Sequence, residues 1–394
     1  MPKSVDQTVM KEINRTLVLD LIRLRSPISR TQIARDSGLN KATLTALIND
    51  LIGEGYVLEV GHGQSNVGRK PVLLQFNGQL GTVFGLDIGV DYLKFVVTDF
   101  GANILFAHQR TLPDKTNVAA IVDACVLGFD TCRAQVATKH HALSGVGVAV
   151  PGLVDHRSGT VLHAPNLGWR DVPLQSLLED RMGQPVWVDN EANVAALAEQ
   201  RYGSARDLLD FVYISAGIGI GTGLISDGRP LRGANGMAGE FGHMTIDHDG
   251  PLCRCGNRGC LEIYASERAL LDHFERISGK AVSFESFRER LLADDPDAAA
   301  STAKIAGYLA IGILNLLNGL NPSAVYLGNQ LGRLSDWLIP PIVQTLSERS
   351  LTAAHAAIDI RASALGDNAG VIGAAALAID HHLNRNLRNL GRTL

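Results

Sequence analysis

The sequence predicts an α/β protein with an N-terminal winged helix-turn-helix, and three observations lead to this prediction. The 394 residues are enough for two to three domains of ordinary size. Residues 1–80 contain two capped helices followed by two short alternating segments. The remainder twice repeats apolar strands that end at glycines and precede helices, a pattern typical of two α/β lobes with a cleft between them.

Composition favours a soluble protein with a sizeable core. Hydrophobic residues make up 46% and charged residues 19%, which excludes a disordered tail protein. The N-terminal residues contain no apolar signal region, and no uninterrupted apolar stretch approaches the ~18 residues of a membrane span. We therefore expect a cytoplasmic protein that has no membrane partner.

Charge is unevenly distributed along the chain. The net charge is −4, which argues against a general polyanion binder. Residues 1–80 carry ten Lys/Arg against seven Asp/Glu, a net charge of +3, which leaves −7 for the remainder. A basic N-terminal region on an acidic body predicts two separate tasks.

Three helices are predicted at the N-terminus. The first ends before Pro27 and has one apolar face, formed by Ile13, Leu17, Val18, Leu21 and Ile22. Ser29 and Gln32 fit a capping box at the start of the second helix, and Gly38 can adopt the left-handed turn that ends it. Asn40 is a good N-cap for the third helix. This order is typical of a helix-turn-helix.

Two alternating segments, 56–60 and 72–76, predict strands on either side of a loop at 61–71, which would form the wing. The third helix would enter a major groove and the wing tip would contact phosphate or a minor groove. The candidate DNA-binding residues are Arg30, Thr31, Lys41, Thr43, Thr45, Arg69 and Lys70. The alternative is a three-helix interaction or dimerisation module whose polar face is merely solvated.

A cysteine-rich segment predicts a metal site. Its candidate ligands are His243, Cys253, Cys255 and Cys260. Three thiolates and one imidazole suit tetrahedral zinc, and four protein ligands leave no open position, so the metal would be structural. The alternative is free thiols or a redox pair, although Cys-x-Cys spacing disfavours a relaxed disulfide. Cys125 and Cys132 are expected to be ordinary core residues.

Glu240-x-x-His243, followed by Cys-x-Cys-Gly-x-x-Gly-Cys-x-Glu, resembles the signature of the ROK family of sugar kinases and sugar-responsive repressors. The resemblance covers most of residues 80–380. Supporting segments are Asp87-Ile88-Gly89, Val150-Pro151-Gly152, Asp189-Asn190-Glu191-Ala192-Asn193 and Leu365-Gly366-Asp367-Asn368-Ala369-Gly370. The N-terminal region resembles the repressor branch, of the xylose and N-acetylglucosamine repressor type.

The resemblance implies a two-lobed actin-like (ribonuclease H-like) ATPase fold with a structural zinc loop. The expected division is a winged helix-turn-helix at 1–80, a small lobe at 81–190 joined by about 381–394, and a large lobe with the zinc site at 191–380. It also implies five sugar-binding residues, Asn190, Glu191, Glu240, His243 and Glu262, and Asn166 is a further candidate. The metal would fix His243 so that its other ring nitrogen meets a sugar hydroxyl. Alternatively, the glutamates are surface carboxylates near the zinc loop.

The nucleotide side of the family pattern is altered. Family kinases have an aspartate where this chain has Glu191, and an Asp-x-Gly-Gly-Thr-Lys phosphate loop where it has Asp87-Ile88-Gly89-Val90-Asp91-Tyr92. Val90 replaces the second glycine, and Asp91 adds a negative charge where phosphates would lie. Residues 327–330 also depart from the usual paired glycines. We therefore expect no kinase activity and no catalytic residue.

These observations together predict a transcriptional regulator of the repressor type. A homo-oligomer, dimer or tetramer, would bind operator DNA and be released by an unphosphorylated sugar in the cleft between the lobes. One alternative is an ATP-dependent sugar kinase that carries a DNA-binding head. Another is a docking protein controlled by a protein partner.

Overall fold

The computed structural model describes residues 7–62, 70–112, 114–136 and 143–385. The described helices are α1 (Gln7–Arg25), α2 (Arg30–Ser37), α3 (Lys41–Gly53), α4 (Val118–Val136), α5 (Leu174–Met182), α6 (Glu191–Tyr202), α7 (Leu261–Ala265), α8 (Glu267–Ser278), α9 (Phe284–Leu292), α10 (Pro296–Leu320), α11 (Asn329–Gly332), α12 (Ser335–Arg349), α13 (Ala353–Ala356) and α14 (Ala369–Leu383).

The described strands form four sheets. They are β1 (Ile28–Ser29), β2 (Val57–His62), β3 (Val72–Phe76), β4 (Thr82–Ile88), β5 (Tyr92–Asp99), β6 (Ile104–Thr111), β7 (Leu143–Val150), β8 (Leu153–Asp155), β9 (Thr160–Ala164), β10 (Trp169–Val172), β11 (Val186–Asn190), β12 (Phe211–Ala216), β13 (Ile220–Ser226), β14 (Arg229–Pro230), β15 (Ala324–Gly328) and β16 (Asp359–Ala362).

The head, which comprises the described residues up to 80, contains α1–α3 and an antiparallel sheet in the order β1-β3-β2. The predicted caps are present. The Ser29 hydroxyl accepts from the backbone N–H of Gln32 at 3.2 Å, and the Asn40 side chain accepts from that of Thr43 at 2.9 Å. Gly38 ends α2 with a φ of 68°, a left-handed conformation that suits glycine.

The buried face of helix α1 only partly matches the one that its apolar spacing predicts, since Val18 and Ile22 are buried as expected. Ile13 and Leu17 were expected inside but are 41% and 39% exposed. The buried residues are Arg15, Val18, Leu19 and Ile22. Arg15 lies over the Tyr56 ring, 5.4 Å from its centroid, and pairs with the carboxylate of Glu54 at the C-terminal end of α3. A charged side chain with two partners therefore takes an inward position that the apolar spacing did not predict.

The rest of the chain contains two five-stranded sheets with the same topology. The first has the order β11-β7-β4-β5-β6 and the second β14-β13-β12-β15-β16. In each, three consecutive strands are antiparallel and two later strands are added in parallel. We call the parts built on them the first and second lobes. The sequence predicted this repeat, and it corresponds to the actin-like fold.

Helices cover both faces of each sheet. In the first lobe, α4, α5 and the small sheet β10-β9-β8 share one core with alternate residues of β4 and β7, and Cys125 and Cys132 are buried there. In the second lobe, α8, α9, α10 and α12 form the outer core. The opposite faces are covered by α14 on the first sheet and α6 on the second, and α14 packs against α6 between them.

Close packing fixes α14 on the first sheet. A Cβ at Gly147 of β7 would lie 1.8 Å from the carbonyl oxygen of Ala374, and one at Gly85 of β4 would lie 2.5 Å from that of Val371. Glycine at these positions lets the helix backbone approach the strands. The domain boundary expected near residue 381 falls inside α14, whose packing against β4 and β7 begins ten residues earlier.

Among the described helices, α10 is long and apolar enough to cross a membrane by length and composition. In this structure 56% of its most apolar 18-residue stretch is buried, and the helix packs against α7, α8, α9 and α12. Its burial and its contacts with these helices are those of a core helix.

Candidate functional site

A cavity of about 780 Å³ lies between the lobes, and all six residues predicted to bind sugar line it. They are Asn166, Asn190, Glu191, Glu240, His243 and Glu262. The parallel strands β4, β7, β11, β12 and β15 end at this cavity, so their loops form its walls. This is the usual ligand position in open α/β sheets.

Two glutamates lie beside the cysteine segment. Glu262 lies in α7, two residues after Cys260, and its Oε2 accepts from the backbone N–H of Ile220 at 3.1 Å. A Cβ at Gly219 would lie 2.3 Å from that oxygen, so only glycine leaves room for the carboxylate. Glu240 is exposed to the cavity, where desolvation raises its pKa, with His243 opposing the shift. Both carboxylates can accept hydroxyl donors from a ligand.

Asn190 is largely engaged with the backbone. Its Oδ1 accepts from the N–H of Ala192 at 2.9 Å and caps α6, while its Nδ2 donates to the carbonyl of Gly152 at 2.8 Å. An asparagine amide has two N–H donors, so one remains for a ligand. Asn190 therefore also positions α6 against the first lobe.

Two carboxyl groups, those of Asp87 and Glu191, lie near each other where β4 and β11 end at the cavity. Burial raises the pKa of Asp87 to about 6, and its Oδ2 accepts from the Tyr92 hydroxyl at 3.0 Å. Burial and the nearby Asp87 charge raise the pKa of Glu191 to about 7, and its Oε1 accepts from the Ser215 hydroxyl at 3.0 Å. Near neutral pH these carboxyls are neutral for part of the time.

Tyr92 covers Gly89 in the turn that follows β4. A Cβ at Gly89 would lie 2.4 Å from the Tyr92 ring, so the ring lies directly over this turn. Val90 and Asp91 also line the cavity here. A bulky ring, a branched side chain and an acid thus lie together at this end of the cavity.

Two of the polar contacts between the lobes involve residues that the sequence did not indicate. The guanidinium of Arg254, between two of the predicted cysteine ligands, donates to the Asn166 side chain at 3.1 Å. Arg232, in the loop after β14, pairs with the buried Asp189 carboxylate at 2.6 Å. The position of Arg254 within the cysteine motif could have indicated a site residue. The spacing of that motif, however, cannot show that the partner of Arg254 is Asn166, which lies in a loop of the other lobe.

The four predicted metal ligands are brought together. The donor atoms of His243, Cys253, Cys255 and Cys260 all lie within 4.8 Å of one another. The Cys255 and Cys260 sulfurs are 3.8 Å apart, and the Cys253 sulfur is 3.7 Å from His243 Nδ1. Tetrahedral zinc, with bonds of about 2.3 Å to sulfur and about 2.1 Å to nitrogen, requires separations of about 3.8 and 3.6 Å. The cluster therefore fits a metal ion, and Nε2 of His243 remains available to a ligand.

The candidate DNA-binding residues of the head differ in their availability. Thr31, Lys41, Thr45 and Lys70 are exposed, and Thr43 is half-buried. Arg30 donates to the side chains of Asn49 and Glu59 at 3.3 and 3.2 Å, so it has partners within the head. Arg69 lies outside the described residues.

Comparisons with known proteins agree with this architecture. The model of the ROK family matches residues 83–381. The xylose repressor of Caldicellulosiruptor bescii is 37% identical and covers 96% of this chain and 98% of its own length. A solved ROK family transcriptional regulator, a homolog of the Escherichia coli MLC protein, matches with a TM-score of 0.82 and 28% identity over 97% of this chain and 98% of its own.

A solved ROK glucokinase from Streptomyces griseus, in complex with glucose and AMPPNP, matches with a TM-score of 0.71 and 31% identity. It covers 76% of this chain and 100% of its own. The match to the family model extends over the two lobes and the metal cluster, and the repressor match extends over the head as well. The chain belongs to the ROK family.

Proposed function

We propose that this chain is a sugar-responsive transcriptional repressor that leaves its operator when an unphosphorylated sugar binds in the cavity. The observation that carries the proposal is the length of the matches. The xylose repressor aligns with 96% of the chain, head included, whereas the glucokinase aligns with 76%. A kinase of that kind has no use for the helices and small sheet that precede residue 80.

The head supports DNA binding as a winged helix-turn-helix. Helices α2 and α3 are joined by the turn at Gly38, and the exposed Lys41 and Thr45 lie at the N-terminal end of α3. That end is the part of a recognition helix that contacts base edges. The β2–β3 hairpin, with Lys70 at its edge, serves as the wing. A cytoplasmic dimer or tetramer would bind pseudo-palindromic half-sites separated by whole turns of about 10 base pairs.

The cavity supports binding of a neutral sugar. Glu240, Glu262 and the free ring nitrogen of His243 present polar atoms from one wall, and Asn166 and Asn190 present amides from the other. Each hydrogen bond to a sugar hydroxyl contributes about 1 kcal/mol, and more when the partner is charged. Xylose is the first candidate, because the xylose repressor aligns with almost the whole chain.

The cluster at the cavity wall supports a structural Zn²⁺ ion. Thiolate and imidazole ligands suit zinc, and four protein ligands would complete its coordination. A bound ion would supply positive charge to the thiolates and would fix the ring of His243. The neighbouring Glu262 would thereby be held as well, since it lies two residues after the ligand Cys260.

Kinase activity is disfavoured by the nucleotide side of the cavity. Phosphoryl transfer needs a glycine-rich cradle and a positioned base. The Tyr92 ring covers the turn at Gly89, and Asp91 lines the cavity beside it. A like-charge contact at about 4 Å costs roughly 4 kcal/mol at an effective dielectric of about 20. Calorimetry with ATP in the presence of xylose tests this point, and sugar-stimulated turnover would favour the kinase alternative.

The proposed function is tested with the full chain and a DNA duplex selected from a random library by its binding to the wild-type protein. Fluorescence anisotropy gives the DNA affinity with and without xylose. We expect xylose to weaken DNA binding at least tenfold, and Glu240→Gln to abolish this response while DNA affinity without sugar is retained. Glu275→Gln, at an exposed site on α8, is the matched control and keeps the response. A selected duplex that is unaffected by xylose and by a panel of other sugars contradicts the proposal.

A further inference from the structure

Two helices connect the cavity to the head. Helix α6 begins at Glu191 in the cavity wall and ends at Tyr202 beside the head. Helix α14 begins beside the carboxyl groups of Asp87 and Glu191. A Cβ at Gly370, in its first turn, would lie 2.8 Å from Asp87 Oδ2 and 3.4 Å from Glu191 Cγ. At 1.5 Å per residue, each helix carries its backbone about 15 Å from the cavity. Both helices therefore have one end at the ligand site and one end at the head.

The far ends of these helices meet a buried arginine of α1. Arg23, whose side chain is 5% exposed, donates to the Asp380 carboxylate of α14 at 2.8 Å. Arg201 of α6 pairs with the other oxygen of Asp380 at 3.4 Å, and Arg23 also donates to the Tyr202 hydroxyl at 3.4 Å. Asp20 of α1 lies 3.6 Å from Arg23. We call Arg23, Arg201, Tyr202 and Asp380 the joint cluster.

The charges of the joint cluster make its geometry specific. Burial alone would raise the pKa of Asp380, but Arg201 and Arg23 outweigh it and lower the pKa to about 2, so the carboxylate stays ionised. A buried charge that loses its partner is costly. A shift of Asp380 relative to Arg201 therefore has to be accompanied by a shift of Arg23, and with it of α1.

The two helices are attached to different lobes. Helix α14 packs against β4 and β7 of the first lobe, whereas α6 packs against β12 and β13 of the second. A change in the angle between the lobes must slide or rotate α6 against α14, because both are closely packed on their own sheets. Ligand binding at residues from both lobes changes that angle if the open and closed states bind the ligand differently.

We propose that the joint cluster couples occupancy of the cavity to the head, with α6 and α14 transmitting lobe closure to Arg23 of α1. The inference rests on the proposed function, since it assigns the route by which sugar binding releases DNA. The head core supports it, because buried Val18 and Ile22 of α1 belong to the same hydrophobic cluster as Ala378 and Ile379 of α14. The head is thus attached to α14 by both charge and apolar contact.

The test measures coupling separately from each binding event. The full chain and its variants are titrated with D-xylose by calorimetry, and affinity for the selected duplex is measured by anisotropy with and without saturating xylose. The coupling factor is the ratio of the two DNA dissociation constants. Asp380→Asn and Tyr202→Phe alter the joint cluster. Asp123→Asn, which breaks the exposed 2.7 Å pair with Arg181 on the outer side of the first lobe, is the matched control.

We expect Asp380→Asn to reduce the coupling factor at least fivefold while its xylose affinity stays within about twofold of the wild type. Tyr202→Phe should reduce coupling by a smaller factor, and Asp123→Asn should not change it. If Asp380→Asn does not fold, as judged by near-UV circular dichroism, Tyr202→Phe decides. Unchanged coupling in the folded variants overturns the joint cluster and leaves the proposed function standing. A wild type with no xylose response overturns the proposed function itself.

Discussion

Replacing Asp87 with asparagine should stabilise the protein at alkaline pH, because it removes a buried negative charge. Asp87 is 2% exposed, and its Oδ1 has no hydrogen-bond partner among the described residues. An asparagine oxygen can still accept from the Tyr92 hydroxyl. Burial raises the pKa of Asp87 from 3.8 to about 6. A shift of about 2 units corresponds to about 3 kcal/mol between the two protonation states.

The sign of the pH dependence follows from proton linkage. At about pH 8 the carboxyl is ionised in both the folded and the unfolded chain, so folding bears the full cost of burying the charge. As the pH falls through about 6, the folded protein takes up a proton and the cost declines. Below 3.8 the group is neutral in both states and the cost is gone. A carboxyl group whose pKa is higher in the folded than in the unfolded chain therefore destabilises the protein as the pH rises. A salt-bridged carboxyl group, whose pKa is lowered on folding, has the opposite effect.

Urea unfolding at several pH values measures this effect. We expect Asp87→Asn to raise the free energy of unfolding by about 1 to 3 kcal/mol at about pH 8, and by about half as much at about pH 5. Asp123→Asn, in an exposed ion pair, should change it by less than about 1 kcal/mol. A gain that is the same at both pH values, or a loss at about pH 8, would refute the reasoning.

Three further substitutions test the metal, the head and the cavity. Cys255→Ser should lower the zinc content per chain measured by atomic emission, and full zinc content would contradict its role as a ligand. Lys41→Ala should weaken DNA binding and reduce the slope of log affinity against log salt by about 1, with xylose affinity unchanged. An unchanged slope would place Lys41 away from phosphate. Gly219→Ala should weaken xylose binding at least tenfold, because its Cβ would lie 2.3 Å from a Glu262 oxygen, whereas Gly307→Ala has open space and should not. Equal affinities in the two alanine variants would exclude Glu262 from the sugar site.

The features that could be predicted from sequence depend on short spacings or on a distinctive motif. The caps at Ser29 and Asn40 satisfy N–H groups within three residues of themselves, so local sequence determines them. The cysteine motif brought its sulfurs together as expected, since three of the ligands lie within one short loop. The repeated sheet topology followed from two similar orders of strands and glycines.

The features that could not be predicted depend on residues distant in sequence. The hydrogen bond between Arg254 and Asn166 joins loops that are 88 residues apart. The exposure of Ile13 depends on which side of α1 packs against the rest of the protein. The domain boundary expected near residue 381 lies within α14 for a related reason. Its small residues pack against Gly85 and Gly147, and spacing along one helix does not show which strand it will cover.

The joining of α1 to α14 has a consequence for biosynthesis. Arg23 and Asp380 are separated by 357 positions, so the ribosome makes the first partner long before the second. Until α14 has emerged and docked, the surface of α1 that it covers stays open to water and to other nascent chains. Fragments released early would lack that cover and would be substrates for chaperones and proteases. Only a chain translated through α14 can therefore form the ion pair that joins this helix to α1.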